Sequence, residues 1–371
     1  MRVYGHARSL IAALMVLALI GCSRPPDVIG VVNPNVPVSS VEMLSKHRIF
    51  IMTTRESTEA PGSLFSSSRA PSLGLASVDA TVPPTHVTGV LERPRRLPPD
   101  PRTEFTVVNP IVYEQEGAFI ASVNRELAKR PPAQRKVLFF VHGFNNSTSE
   151  AVLRLSQFVE DTGFQGVPIL FSWASAAAGS AYVYDLNSVL VARSQLYNMT
   201  QILGKTNAQN IDVFAHSMGT LLVMEGLVNE KQSGRLANSD KIDIIVLASP
   251  DIDIDLFETQ VAALPRPLVE KMFLLISEDD AALRLSRRIA GGVPRVGAAD
   301  VAQLERFGAT VIDLGKVSDS NSGSHSKFAG SPEVVQLIGA GLNADRSFGA
   351  EGRNFTLEEV LGAAPIRIFR N

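Results

Sequence analysis

Ile211-Asp212-Val213-Phe214-Ala215-His216-Ser217-Met218-Gly219 decides how this chain is read. An apolar run stops at a serine that has a small residue two places before it, Ala215, and two places after it, Gly219. A helix-like pattern begins at once. This is the layout of a nucleophile elbow, a tight strand-to-helix turn that lifts a serine hydroxyl out of a sheet. The turn is cramped, so both flanking positions need small side chains. The usual pattern has glycine at both, and Ala215 departs from it by one methyl group.

Outward from this stretch a rhythm appears. Short β-branched or aromatic runs recur at residues 137–141, 167–171, 211–215, 242–247, 272–276 and 310–314, separated by helix-like stretches. Val152, Leu155 and Val159 sit at helical spacing, as do Val189, Arg193, Leu196, Thr200 and Leu203. Ser331 and Pro332 provide an N-cap and first-turn residue for a final helix over 333–342. Strands alternating with helices predict βαβ units and a mostly parallel sheet with helices on both faces. In such sheets, sites gather beyond the carboxyl ends of the strands. His142, Gly143, Trp173, Ser217, Asp251, Asp280 and His325 fall there.

Before this region, residues 48–54 read as a first strand and 75–82 as a second, an antiparallel N-terminal extension. Residues 56–70 and 83–101, rich in Ser, Gly and Pro, read as loops.

The extreme N-terminus is a separate matter. Positive residues precede an apolar run over 9–20, too short for an ordinary transmembrane helix. It reads as a secretory signal ending in Leu19-Ile20-Gly21-Cys22, with Cys22 the single cysteine. This resembles a bacterial lipobox, in which the cysteine is lipidated and becomes the mature N-terminus. The expected layout is a signal peptide over 1–21, a lipidated tether over 22–45, a catalytic domain over 46–345 and a tail over 346–371. The anchored protein is expected in the cell envelope. Ser23 in place of aspartate favours the periplasmic face of the outer membrane in a Gram-negative organism. With 371 residues, 45% hydrophobic and 19% charged, the chain has material for one large core. Lys+Arg 35 against Asp+Glu 37, without a basic block, excludes an electrostatic footprint for nucleic acid.

A serine hydroxyl becomes a nucleophile when a base takes its proton, and histidine is the usual base. His6 leaves with the signal; His47 and His86 lie in the N-terminal part. His142 ends a strand, and His216 adjoins Ser217, so it should point to the opposite face. His325, in the polar loop over 320–326, is the only histidine after the serine. The acid that orients the imidazole must lie between serine and histidine in this order of chain. Asp251, Asp253, Asp255, Asp279 and Asp280 all qualify. Asp280, after the strand at 272–276, is favoured with Asp279 second, although Asp280 could instead cap the helix that begins at Ala281. The alternating aspartates 251–255 lack the glycine and distal glutamate of a calcium loop, and no zinc-type His/Cys spacing occurs. Neither metal nor cofactor is called for. Backbone donors for an oxyanion are expected at Met218, which starts the helix, and at Phe144, in the loop after the first core strand.

Together, Phe139-Phe140-Val141-His142-Gly143-Phe144-Asn145-Asn146, Phe171-Ser172-Trp173-Ala174-Ser175, the elbow, Leu247-Ala248-Ser249-Pro250-Asp251-Ile252-Asp253, Asp280-Ala281-Ala282-Leu283 with Ser286, and the His325 loop carry a resemblance. The chain resembles the α/β-hydrolase superfamily, and within it a bacterial branch of α/β hydrolases of unknown function, over roughly residues 48–342. The resemblance implies nucleophile Ser217, acid Asp280, base His325 and oxyanion donors at Phe144 and Met218. Ala174 stands where the branch usually has proline. The implied activity is a lipid-anchored serine hydrolase of carboxylic esters working through an acyl-enzyme. Thioesterase, peptidase and acyltransferase chemistry would use the same residues. The competing class is an inactive envelope-interaction module with the same fold. Loops over 174–185 and 255–270 are expected to shape the pocket for a small-molecule substrate.

Overall fold

The computed structural model describes residues 24–234, 236, 241–319, 323–343 and 366–369. The signal segment, Cys22 and most of the expected C-terminal tail lie outside the described residues.

Among the described residues ten strands make one sheet: β1 (Lys46–Ser57), β2 (Phe65–Thr81), β3 (Thr106–Val112), β4 (Lys136–Val141), β5 (Val167–Ser172), β6 (Asn210–His216), β7 (Ile242–Ala248), β8 (Met272–Ile276), β9 (Thr310–Asp313) and β10 (Arg367–Phe369). Their spatial order is β10-β9-β8-β7-β6-β4-β5-β1-β2-β3. From β1 to β9 the central strands run parallel. β2 and β3 form the antiparallel N-terminal extension, and β10 adds antiparallel to β9.

The sheet is covered on both faces because its strands are apolar on both. On β4, Val137, Phe139 and Val141 point into one layer, packed with Met199, Leu203 and Leu222. Leu138 and Phe140 point into the other, with Val152, Leu155 and Phe158. Helices α1 (Glu116–Ala128), α3 (Tyr182–Ala192), α4 (Leu196–Gly204), α5 (Met218–Gln232) and α6 (Ile254–Ala262) supply the first layer. Helices α2 (Thr148–Thr162) and α8 (Pro332–Asn343) supply the second, and α7 (Ala281–Ile289) follows β8. Phe140 stacks on Phe214 at 5.5 Å, and Phe158 lies 4.6 Å from the same ring. Each such buried side chain stabilises the fold by about 1.5–3 kcal/mol before entropy is counted.

The strand order creates the crevice. From β4 the chain moves to β5 on one side, then returns to β6 on the other. The loops leaving β4 and β6 therefore diverge at a switch point, where α/β sheets bind ligands.

Several expectations are corrected. The stretch 56–70 is not simply a loop, because β1 runs to Ser57 and β2 begins at Phe65. The helical face over 189–203 is two helices, interrupted by a 3-10 turn at Arg193–Gln195 that lets Leu196 press onto Gly226 of α5. The region 255–270 is largely helix. β3 and α1 were not anticipated: Asn109, at φ 52°, and Pro110 interrupt the strand signature of β3. An edge strand tolerates proline because one of its sides needs no ladder donor.

Within the stretch read as a tether, the chain is already docked. Val28 and Ile29 are buried. Ser147 Oγ donates to Asp27 at 3.0 Å, and the Val28 N–H donates to Ser149 Oγ at 3.1 Å. The N–H groups of Ile29 and Gly30 donate to the carbonyls of Gly62 and Val107 at 2.8 and 2.7 Å.

Candidate active site

Ser217 joins β6 to α5 at φ 52° and ψ −124°. An L residue held there stores on the order of 1–3 kcal/mol of backbone strain. The packing around the turn keeps it there. A Cβ on Gly219 would collide with the carbonyl oxygen of His142 and lie 2.9 Å from that of Val141. A Cβ on Gly143 would lie 2.9 Å from Ser217 Cβ and 3.0 Å from His216 Nδ1. The β4 loop and the serine thus meet only because residues 143 and 219 have no side chains. Ala215 is fully buried in β6, and its methyl is accommodated.

His325 reaches the serine from the segment that follows β9. Its Nε2 is 2.9 Å from Ser217 Oγ, and its Nδ1 is 2.8 Å from Asp280 Oδ2. Asp280 is fully buried; its other oxygen accepts from the Leu283 N–H at 2.9 Å and caps α7. The two roles weighed for Asp280 are filled at once, one per carboxylate oxygen.

The remaining acids do other things. Asp279 accepts from Ser277 Oγ, from Ser324 Oγ at 2.7 Å and from Lys327 Nζ at 3.1 Å. Burial works against its charge, but those donors hold its pKa below the usual carboxylate range. Asp279 therefore fastens the His325 loop. Asp251 is buried and accepts from Tyr182 Oη at 3.0 Å and from Ser286 Oγ, with Arg295 Nε 3.3 Å away. Asp253 caps α6, accepting from the N–H groups of Asp255 and Leu256. Asp255 sits in the first turn of that helix.

Of the two residues expected to donate to an oxyanion, Met218 follows Ser217 in the chain and Phe144 follows Gly143, which abuts Ser217. Met218 is the first residue of α5, so its N–H has no intrahelical acceptor. The Phe144 ring packs against Tyr182 at 5.4 Å. The loop that carries it is braced by groups that sequence reasoning missed. Arg55, buried at the end of β1, donates to Asn146 O at 2.7 Å, Ser175 O at 2.9 Å and Ser172 Oγ at 3.0 Å. Desolvation lowers its pKa to about 10, which leaves it charged at neutral pH. Asp185 accepts from Ser175 Oγ at 2.6 Å and from the N–H groups of Asn145 and Ala176 at 3.2 and 2.7 Å. The stretch 174–185 is therefore tied to the β4 loop. Trp173 Nε1 donates to His142 O at 2.8 Å, and the two rings stack at 4.9 Å. Burial, reinforced by the Arg55 charge, pushes the His142 pKa down to about 3, so it is neutral and structural.

His216, set aside as a base because it adjoins Ser217, has its ring 4.8 Å from that of His325. Its Nε2 donates to the backbone carbonyl of His325 at 2.9 Å. Burial holds its pKa well below the ordinary histidine value. Lys327 and His216 each lie within two residues of His325 or Ser217, whereas Arg55 and Asp185 lie outside every motif. Closeness to a motif does not say what a residue touches.

Residues 115–341 match the model of the family described as alpha/beta hydrolase of unknown function (DUF900). No curated protein matches the chain. Among solved structures, a fungal esterase from Rhizomucor miehei is similar at 13% identity and TM-score 0.35, over 86% of this chain and 92% of that one. An esterase from the archaeon Pyrobaculum calidifontis is similar at 13% identity and TM-score 0.34, over 58% of this chain and 78% of its own. Lipase B of Aspergillus fumigatus is similar at 12% identity and TM-score 0.34, over 58% and 54%. The family model spans more than half of the sequence, and the chain belongs to the alpha/beta hydrolases of unknown function.

Proposed function

We propose that this protein is a serine hydrolase that cleaves carboxylic esters through an acyl-enzyme and is held to the cell envelope by a lipid on Cys22. The observation that carries the chemistry is the bridge made by His325, 2.9 Å from Ser217 Oγ and 2.8 Å from Asp280. Ser217 Oγ attacks the acyl carbonyl while His325 Nε2 takes its proton. Asp280 holds the imidazole in the tautomer that leaves Nε2 free to accept, and stabilises the cation that follows. The tetrahedral oxyanion is met by the N–H groups of Phe144 and Met218. His325 then gives its proton to the departing alcohol. Water enters along the reverse path, again activated by His325, and frees the acid and the serine. Every proton passes between Ser217, His325, substrate and water.

The lipid anchor rests on the sequence before Arg24. Among the described residues no helix is long and apolar enough to cross a membrane. The proposed location is the cell envelope and, in a Gram-negative organism, the periplasmic face of the outer membrane.

A fluorophosphonate probe tests the chemistry. The wild type should be labelled at Ser217 and should release acid from short-chain esters; Ser217→Ala should do neither while keeping its circular dichroism. A folded wild type that neither reacts with the probe nor turns over any ester, thioester or amide in a panel would establish the inactive-module alternative instead.

A further inference from the structure

Helix α3 exposes a largely apolar face that nothing among the described residues covers, with the exposed Asn187 set between its apolar side chains. Val183 is 64% exposed, Leu190 42% and Val191 43%, while Tyr182, Asp185, Ser188, Val189 and Ala192 face inward. Residues 183 and 190 lie two turns apart on one side, with 191 beside them. An amphipathic helix normally turns such residues inward.

We propose that this face rests on the lipid surface to which the chain is anchored, so that the carboxyl edge of the sheet faces the bilayer. The inference builds on the proposed lipid at Cys22. What points to a membrane is where the chain before Arg24 rejoins the fold. Asp27 is fixed to Ser147, the N-cap of α2, which directly follows the loop Gly143–Asn146. Four residues lie between Cys22 and Asp27, and the five residue-to-residue steps reach about 18 Å at most when extended. A lipid on Cys22 is therefore held close to the Ser217 edge and cannot swing to the opposite edge, where β1 starts.

Contacts run from that attachment point to α3. Arg55 joins Asn146 O to Ser66 O, at 2.7 and 3.2 Å. Three residues further along β2, Arg69 Nε donates to Ser188 Oγ at 2.8 Å, and its guanidinium covers the Tyr184 ring at 4.2 Å. Asp185 of the same helix holds the Asn145 N–H. The anchor root, the β1–β2 tip, the Phe144 loop and the exposed side of α3 thus share one rim. A substrate whose acyl chain lies in the bilayer would meet Ser217 from that rim, whereas a soluble ester needs no docking.

The full-length lipidated chain is reconstituted in phosphatidylcholine vesicles. Leu190→Cys carries a polarity-sensitive dye, and Lys129→Cys, on the exposed end of α1 by the opposite edge, is the control. Acylated Cys22 offers no thiol to the dye. Brominated acyl chains in the vesicles should quench the dye at 190 and leave the dye at 129 bright. With unlabelled chains, Leu190→Glu should slow turnover of an ester dispersed in the bilayer and leave a soluble short-chain ester unaffected. If the chain floats with the vesicles but the dye at 190 is not quenched, the anchor stands and the docking proposal falls. Failure to float removes the anchor reading and this proposal with it. A dye at 190 that is already shielded without vesicles, or becomes shielded with rising protein concentration, gives the face to the chain itself or to a second copy and overturns the proposal. Labelling of Ser217 by fluorophosphonate is read separately, so loss of the chemistry cannot be mistaken for loss of docking.

Discussion

Nε2 of His216 donates a hydrogen bond to the backbone carbonyl of His325, 2.9 Å away, and the two rings lie 4.8 Å apart. The residue beside Ser217 therefore fixes the backbone of the proposed base. Phe328 packs on the other side of His216, at 4.7 Å. His216→Phe should keep the ring packing and lose the donor. A base displaced by a fraction of an ångström to 1 Å should cost about 10- to 100-fold in kcat, with KM nearly unchanged. The rate of fluorophosphonate labelling should fall in parallel. A wild-type labelling rate in His216→Phe would remove the positioning role.

Asp280 performs two jobs that one substitution separates. Asparagine caps a helix about as well as aspartate, so Asp280→Asn should keep α7 and its melting temperature near wild type. It lacks the charge that stabilises the imidazolium, and kcat should fall by about 10⁴-fold. Asp280→Ala should lose as much activity and also about 1 kcal/mol of stability from the missing cap. Asp279→Asn should weaken the Ser324–Lys327 fastening and cost far less in kcat than Asp280→Asn. A larger loss at 279 would reassign the acid.

Gly219 and Ala215 look alike in the motif and differ in the fold. Gly219→Ala sets a methyl against the carbonyl oxygens of Val141 and His142, which are backbone and cannot rotate aside. It should destabilise the protein by about 1–3 kcal/mol and depress kcat by shifting the Phe144 loop. Ala215→Gly restores the usual residue. It should retain activity and cost roughly 0.5–1 kcal/mol through added chain entropy. Urea midpoints together with kcat distinguish the two cases.

His86 should make stability fall on the alkaline side. Its Nδ1 is 2.7 Å from Glu92 and its Nε2 2.8 Å from Asp161, which pins the loop after β2 onto α2. Burial opposes its charge, but the two carboxylates raise its pKa to about 9 from the unfolded value 6.5. The folded state thus binds the proton more tightly. The resulting stabilisation is fully present below pH 6.5, declines between about 6.5 and 9, and is absent above 9. It amounts to no more than about 3 kcal/mol. The urea midpoint of the wild type should therefore drop between pH 6 and pH 9.5 by more than that of His86→Gln. Equal drops would show that His86 is not the titrating group.

The sequence by itself determined the strand–helix alternation from β4 to β9, because fully buried parallel strands are continuous apolar runs that survive in any register of reading. It also named Ser217 and His325 as candidates, which the fold brings within 2.9 Å of each other. A strained turn restricts its neighbours to small residues, and only one histidine follows the serine. The contacts across the sheet had to come from tertiary structure. Asp279 and Asp280 are adjacent and chemically identical, and only the direction of each carboxylate assigns one to His325 and the other to Lys327. Arg55 lies 91 positions before Asn146 but braces its loop, because β1 inserts beside β5. Val28 and Ile29 read as tether and are buried, because the groove that accepts them is formed by residues 62, 107 and 149. Local sequence encodes periodicity and turn strain. Which distant groups meet, and so which polar residue becomes a brace, a cap or a partner of the base, depends on strand order and packing.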